Sequence, residues 1–153
     1  MGKKAETEID ITFRGMAAAD IDAVVRLEAE TFSDAWKESM LLDEINNSIT
    51  DYLVMEKDGV VIGYAGFWLI AGEAQITRVA VQLAEQGEGY GTKLVAALIR
   101  RARELGAKAI TLEVRKSNIV AQKVYLTCGF KNIGERPGYY KNTNEAAVIM
   151  WLL

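Results

Sequence analysis

Gln86-Gly87-Glu88-Gly89-Tyr90-Gly91-Thr92 stands at the mouth of a long apolar segment, and beyond it Leu112-Glu113-Val114-Arg115 is followed by Asn118 and Tyr125. A glycine-rich turn opening a helix offers unpaired backbone N–H groups and the positive end of a dipole. It therefore holds an anion such as a pyrophosphate without a basic side chain. The glutamate and tyrosine downstream are placed to move a proton at each end of one reaction. Together these features point to a group-transfer enzyme that uses a phosphate-bearing carrier. Each has a plainer reading as well: a strand-to-helix connection for the turn, a solvated strand face for Glu113, a core ring for Tyr125.

Working outward from this arc, Glu88 to Leu105 has a helical pattern with Leu94, Val95, Leu98 and Ile99 inward and Arg100, Arg101 and Arg103 outward, ended by Gly106. Residues 108–114 read as a strand, and Ser117 is expected to cap a helix that closes at Gly129. Residues 130–134 and 146–152 read as a final antiparallel pair. Upstream, residues 9–14 alternate like a first strand, and Asp20 is expected to cap a helix to about Phe32. After a break at Ser33-Asp34-Ala35, a short helix runs from Trp36 to about Ile45. Residues 52–56 and 60–69 flank the hairpin signal Lys57-Asp58-Gly59, and residues 74–81 return across Ala71-Gly72-Glu73. Gly63 and Gly66 inside a strand suggest close backbone approach. The order is strand, two helices, three strands, helix, strand, helix, two strands: a polar flexible leader over residues 1–9, then one mixed α/β domain over residues 10–153.

Composition removes several chemistries. The 153 residues contain no histidine and one cysteine, Cys128. Ser-His and Cys-His nucleophile pairs are impossible within the chain, zinc sites of the usual Cys/His type are nearly excluded, and no metal is expected. A lone thiol makes no internal disulfide, which fits a reducing cytoplasm. Cys128 sits at an apolar helix end, either as a buried structural thiol or as a reactive acyl acceptor. Hydrophobic residues make up 50% of the chain, enough for a core, and 18 basic against 21 acidic residues give a net charge of −3. No broad cationic surface invites nucleic acid or an anionic membrane. Met1-Gly2-Lys3-Lys4 is followed by Ala5-Glu6-Thr7-Glu8 rather than an apolar core, so it is not a signal peptide, and no apolar run is long enough to span a membrane.

These residues resemble the GNAT acyltransferases, and among them the branch that acetylates ribosomal-protein alanine. The hexapeptide Gln86 to Gly91 is similar to the family's pyrophosphate turn, and more specific are Leu112-Glu113-Val114-Arg115, Ser117-Asn118, Tyr125, Gly129-Phe130, Tyr139-Tyr140 and Val148-Ile149-Met150-Trp151. The likeness is dense from about Ile76 onward. It implies an α/β (α+β) fold: a mixed, mostly antiparallel twisted sheet with flanking helices and a splayed central strand pair. It implies acetyl-CoA as cosubstrate, its pantetheine arm along Val79, Ala80 and Val81, its pyrophosphate on the turn from Gln86 through Gly87, Glu88, Gly89, Tyr90 and Gly91 to Thr92, and a hydrogen bond from Asn118. Glu113 would be the general base and Tyr125 the general acid in direct attack by an amine on the thioester. Phe32 and Trp36, with Tyr139 and Tyr140 in the loop before the last strand, would wall the acceptor slot.

The implied reaction is N-terminal acetylation of a small-subunit ribosomal protein by a cytoplasmic monomer or weak dimer without direct contact to nucleic acid. A lysine or small-molecule amine as acceptor, or a noncatalytic acyl-CoA sensor, are the competing readings. A free α-amine, with a pKa of about 8 against about 10.4 for lysine, is better matched to a glutamate relay. Three departures from the branch stand out: Ala35 before Trp36 where proline is frequent, Glu145-Ala146-Ala147 where an acidic pair is frequent, and an acidic Glu88 beside the anion turn.

Overall fold

The alternation near the N-terminus becomes strand β1 (Ile11–Gly15), which pairs antiparallel with β2 (Thr50–Lys57). The computed structural model describes residues 8–153, so the leader expected over residues 1–9 lies mostly outside the described residues. Asp58-Gly59 and Ala71-Gly72, all four with positive φ, make the two tight turns that join β2 to β3 (Val60–Ile70) and β3 to β4 (Glu73–Val81). β5 (Ala109–Arg115) then lies parallel to β4, β7 (Glu145–Leu152) runs antiparallel to β5, and β6 (Lys131–Tyr140) forms the far edge. The order is β1-β2-β3-β4-β5-β7-β6, one mostly antiparallel sheet with its single parallel pair inside it.

Four helices cover the sheet: α1 (Ile21–Thr31), α2 (Glu38–Ile45), α3 (Tyr90–Glu104) and α4 (Ile119–Thr127). The expected inward stripe of α3, Leu94, Val95, Leu98 and Ile99, is buried against Met55, Phe67, Ile76, Leu112 and Met150 together with Tyr125 and Phe130. Each such aliphatic side chain contributes about 1.5–3 kcal/mol through burial. A second apolar layer sets Ile21, Val24 and Leu27 of α1 and Leu41 of α2 on Tyr52, Val54, Tyr64 and Ala80. Alternating residues of β2 feed the two layers, Leu53 and Met55 one and Val54 the other, so the sheet is buried on both faces.

Two glycines of β3 do make close approaches. A Cβ on Gly66 would lie 1.9 Å from the Tyr52 ring, and one on Gly63 would lie 2.9 Å from the Ala80 carbonyl oxygen. The Tyr52 ring thus fills the space that any side chain at Gly66 would need.

Several local expectations are corrected. Asp20 stands at the N-cap position of α1 as expected, but its side chain does not cap the helix: the residue ends a 3-10 turn, its backbone is already helical, and its carboxylate accepts from Ala17 N–H and from Arg14 twice, each at 2.8 Å. Asn118, not Ser117, caps α4, because its Oδ1 accepts the Ala121 N–H at 3.1 Å. α2 begins at Glu38, which leaves Trp36 in the preceding loop. Tyr139 and Tyr140 lie on the end of β6, which runs on past Gly134, with Tyr140 opposite Glu145.

Candidate active site

The parallel pairing of β4 with β5 stops at Ile76 opposite Leu112, although β4 continues to Val81 and β5 to Arg115. Past that rung β4 stays with β3 and β5 stays with β7. A bulge assists the parting: Phe67 pairs with Ile76 and Gly66 with Arg78, so Thr77 is the extra residue on β4, and bulges bend and twist a strand. The gap opens into a cleft of about 930 Å³. Glu113, Tyr125, Asn118, Val79, Phe32, Trp36, Tyr139 and Tyr140 all line it. Ala80, Val81 and the turn from Gln86 to Thr92 do not contribute to that lining.

Glu113 does not sit on a solvated strand face. Its Oε1 accepts a hydrogen bond from Gln75 Nε2 at 3.3 Å, while its Oε2 is buried and has no hydrogen-bond partner among the described residues. Tyr139 approaches the same carboxylate, and its hydroxyl pKa is raised by burial and then by Glu113. Tyr140 is pushed up to about 12, chiefly by burial.

On the α4 side, Tyr125 is buried and packs edge-to-face on Phe130 at 5.7 Å. Burial holds its hydroxyl pKa well above the usual tyrosine value, so it keeps its proton throughout the physiological range. Asn118 uses its side-chain carbonyl oxygen as the cap of α4 and lines the cleft. Cys128 is half-buried away from the cleft, its Sγ 3.8 Å from the Thr92 carbonyl oxygen, and burial raises the thiol pKa. A raised pKa leaves little thiolate, so the structural reading of this residue is the better supported.

The glycine turn has an open backbone. Gly87 and Gly89 have φ of +85° and +82°, with nothing within 4 Å of a Cβ built on either. Among the described residues, no backbone carbonyl accepts from the N–H groups of residues 87–92. Such consecutive free donors at a helix start form an anion-binding concavity. Gln86 turns back, its Nε2 donating to the Val81 carbonyl at 2.9 Å, and so braces the exit from β4. Glu88 is exposed.

The opposite wall is organised by a residue absent from the sequence reading. Glu28 of α1 is 0% exposed and accepts from Trp36 N–H at 2.7 Å, from Arg78 Nη2 at 3.0 Å and from the Tyr64 hydroxyl. The Arg78 guanidinium lies against both Phe32 and Trp36, at 4.1 and 4.5 Å from their ring centres. One signal for Glu28 was available: it falls on the buried stripe with Ile21, Val24 and Leu27, where a carboxylate needs partners. Arg115 ties the other wall, lying 4.0 Å over the Tyr140 ring and donating to Thr143 and Asn142. Glu145, from the run where an acidic pair is frequent, accepts the Ser117 N–H at 2.6 Å, and those bonds depress its pKa.

Among the described residues no group of His, Cys, Asp or Glu is arranged to hold a metal ion, and no helix is long and apolar enough to cross a membrane. The profile of the acetyltransferase (GNAT) family matches residues 21–130, a span that includes the parted strands, the glycine turn, Glu113 and Tyr125. The chain belongs to the GNAT acetyltransferase family. Within that family it is similar to a Bacillus subtilis protein provisionally named [ribosomal protein bS18]-alanine N-acetyltransferase, with 38% identity over 91% of this chain and 93% of the relative. It is 33% identical to the enzyme of that name from Haemophilus ducreyi, over 87% of this chain and 93% of the relative. The crystal structure of the Escherichia coli ribosomal-protein-S18-alanine N-acetyltransferase superposes with a TM-score of 0.85 at 26% identity, covering 94% of this chain and 93% of that one. The structure of a Salmonella typhimurium protein provisionally named an acetyltransferase, solved with acetyl-CoA, shares the fold with a TM-score of 0.80 at 22% identity, covering 94% of this chain and 93% of that one.

Proposed function

We propose that this GNAT acetyltransferase transfers the acetyl group of acetyl-CoA to the α-amine of a protein N-terminus, the acceptor being the N-terminal alanine of the small-subunit ribosomal protein bS18. The observation that carries the chemistry is the buried Oε2 of Glu113, unpartnered among the described residues, in a cleft that Tyr125 also lines. The names of the relatives supply the acceptor.

The residues fit an acyl-CoA. The free N–H groups over residues 87–92 match a pyrophosphate, and the unzipped edge of β4 from Thr77 to Val81 offers backbone groups to an amide-bearing arm. Asn118 adds an amide donor at the cleft. Glu113 Oε2 accepts a proton from the acceptor nitrogen, directly or through water, as that nitrogen bonds to the acetyl carbon. The carbon–sulfur bond breaks, and Tyr125 donates a hydrogen bond and then a proton to the departing sulfur, which needs only a mild donor because a thiolate is a weak base. The aromatic walls, Phe32 and Trp36 facing Tyr139 and Tyr140, enclose the acceptor's first residues. Residues 10–153 act as one domain, in the cytoplasm, as a monomer or weak dimer.

The test is incubation with acetyl-CoA and a panel of peptides bearing either a free N-terminus or an internal lysine, with the acetyl group located by mass spectrometry. Acetylation of the α-nitrogen of an Ala-initiated bS18 peptide supports the proposal. Exclusive modification of lysine would replace it with the other amine reading.

A further inference from the structure

Gln75 has no part in the reaction as described so far, yet its position is unusual. It pairs with Thr111 of β5 one rung before the strands part, and with Trp68 of β3 on its other side. Both flanking strands therefore hold its backbone at the edge of the cleft, which its side chain lines. From there it reaches diagonally to Glu113, two residues past its own rung partner, and Nε2 bonds to Oε1 at 3.3 Å. The bond is asymmetric. One carboxylate oxygen is held by a donor, whereas the other is buried and without a partner among the described residues. A buried charged oxygen without a donor is costly, and in native proteins such exceptions mark places where a ligand or reaction supplies what is missing. A carboxylate free to rotate about its last torsion would share the two roles between its oxygens, because that torsion is broad.

We propose that Gln75 is a positioning residue for Glu113: by binding Oε1 it fixes the carboxylate plane and presents Oε2 alone to the acceptor amine. The inference rests on the reading of Glu113 as general base. Gln75 acts through the carboxylate, and β4 supplies the rigidity that makes its hold useful. A glutamine suits this position because it donates without bringing a charge that would itself exchange protons with the amine.

A double-mutant cycle in the full-length chain tests the proposal. Gln75→Leu removes the donor with little change in bulk, and Gln75→Met is the second variant if the leucine protein does not fold. The cycle is completed by Glu113→Gln and the double variant, assayed with acetyl-CoA and an Ala-initiated peptide at about pH 7, where the acceptor amine still depends on the base. Gln75→Leu is expected to lower kcat about tenfold, the scale on which a misplaced catalytic group loses rate. KM for acetyl-CoA should stay at the parent value, while the melting temperature should fall by no more than the loss of one hydrogen bond implies. In the Glu113→Gln background the same replacement is expected to cost nothing further, since residues acting as a unit are non-additive. Parent kcat in Gln75→Leu while Glu113→Gln is slow would overturn the positioning role and leave the base standing. Losses that multiply would also overturn it, whereas parent rates in Glu113→Gln would remove the base and Gln75's role with it.

Discussion

Glu28 and Arg78, fifty residues apart in the chain, meet at 3.0 Å beneath the rings of Phe32 and Trp36. The carboxylate is inaccessible to solvent and receives donors from α1's own following loop, from β3 and from β4. One side chain therefore anchors the loop that carries a cleft wall.

Removing that anchor leaves the nearly buried Arg78 without its buried carboxylate partner, held by the exposed Asp34 and by the rings of Phe32 and Trp36. Glu28→Ala is expected to cost about 3–5 kcal/mol, the scale for breaking a buried pair from one side. Urea unfolding measures it. Glu28→Gln, which retains one acceptor oxygen, should lose less stability and mainly raise KM for the peptide.

Glu113→Gln is expected to lower turnover about 100-fold or more at neutral pH, with acetyl-CoA affinity unchanged. The deficit should narrow as pH rises through about 8, where the acceptor α-amine loses its proton to solvent. Steady-state rates from pH 6 to 9.5, beside calorimetric affinities, check both halves.

Tyr125→Phe preserves the edge-to-face packing on Phe130 and removes only the hydroxyl. The variant should fold, bind acetyl-CoA normally and transfer acetyl slowly, most slowly at low pH. A CoA thiol has a pKa near that of cysteine, about 8.5, and above it the sulfur departs without help. Single-turnover kinetics keeps product release from hiding the effect.

Gly89 precedes α3 with φ +82° and open space around it, so a side chain there is limited by backbone conformation rather than by contact. Gly89→Ala should cost about 1–2 kcal/mol and weaken acetyl-CoA binding, and a valine would compound the two effects. Glu88→Gln is the cleaner probe. It removes an exposed charge beside the turn, should leave the melting temperature alone and should tighten acetyl-CoA a few-fold, since a unit charge at about 8 Å in water contributes roughly 0.5 kcal/mol. Titration calorimetry at low and high salt distinguishes the charge effect from any other.

Tyr52, Tyr64 and Tyr125 have hydroxyl pKa values raised in the folded state, in each case first by burial. The unfolded chain ionises near pH 10, so above that pH the folded state binds more protons than the unfolded one. Their contribution is intact below about pH 10 and is lost as pH rises through the higher folded-state values. Melting temperature should fall steeply above pH 10, and less steeply in Tyr125→Phe.

Much of this was legible locally. The α3 stripe, both Gly-containing hairpin turns and the glycine turn are set by residues adjacent in sequence, and the structure forms each of them. Glu28 and Gln75 were not legible, because what distinguishes them is a partner brought close only by the sheet. β6 runs beyond the expected residues 130–134 through Pro137-Gly138, because an edge strand tolerates proline where one side of its ladder is unpaired. At α4 the adjacent Asn118 makes the capping bond expected of Ser117, which sequence spacing alone does not separate, and at α1 the Asp20 carboxylate turns back to Ala17 and Arg14 rather than into the helix.

The parting of β4 from β5 also gives the molecule a mechanical seam. The parallel ladder joins the two halves of the sheet only as far as Ile76 and Leu112, and beyond that point they are linked by side chains, Gln75 to Glu113 and Asp34 between Arg78 and Arg115, and by the shared apolar core. A ligand whose amides pair with the loose edge acts there as a missing strand, stapling one half to the other. Occupancy should therefore be visible without any chemistry, as slowed hydrogen exchange in the β4 amides past Ile76 that face the gap and as a rise in global stability of about 2.7 kcal/mol at a hundred times the dissociation constant. The same opening that admits substrate leaves the empty enzyme most easily pulled apart along that line.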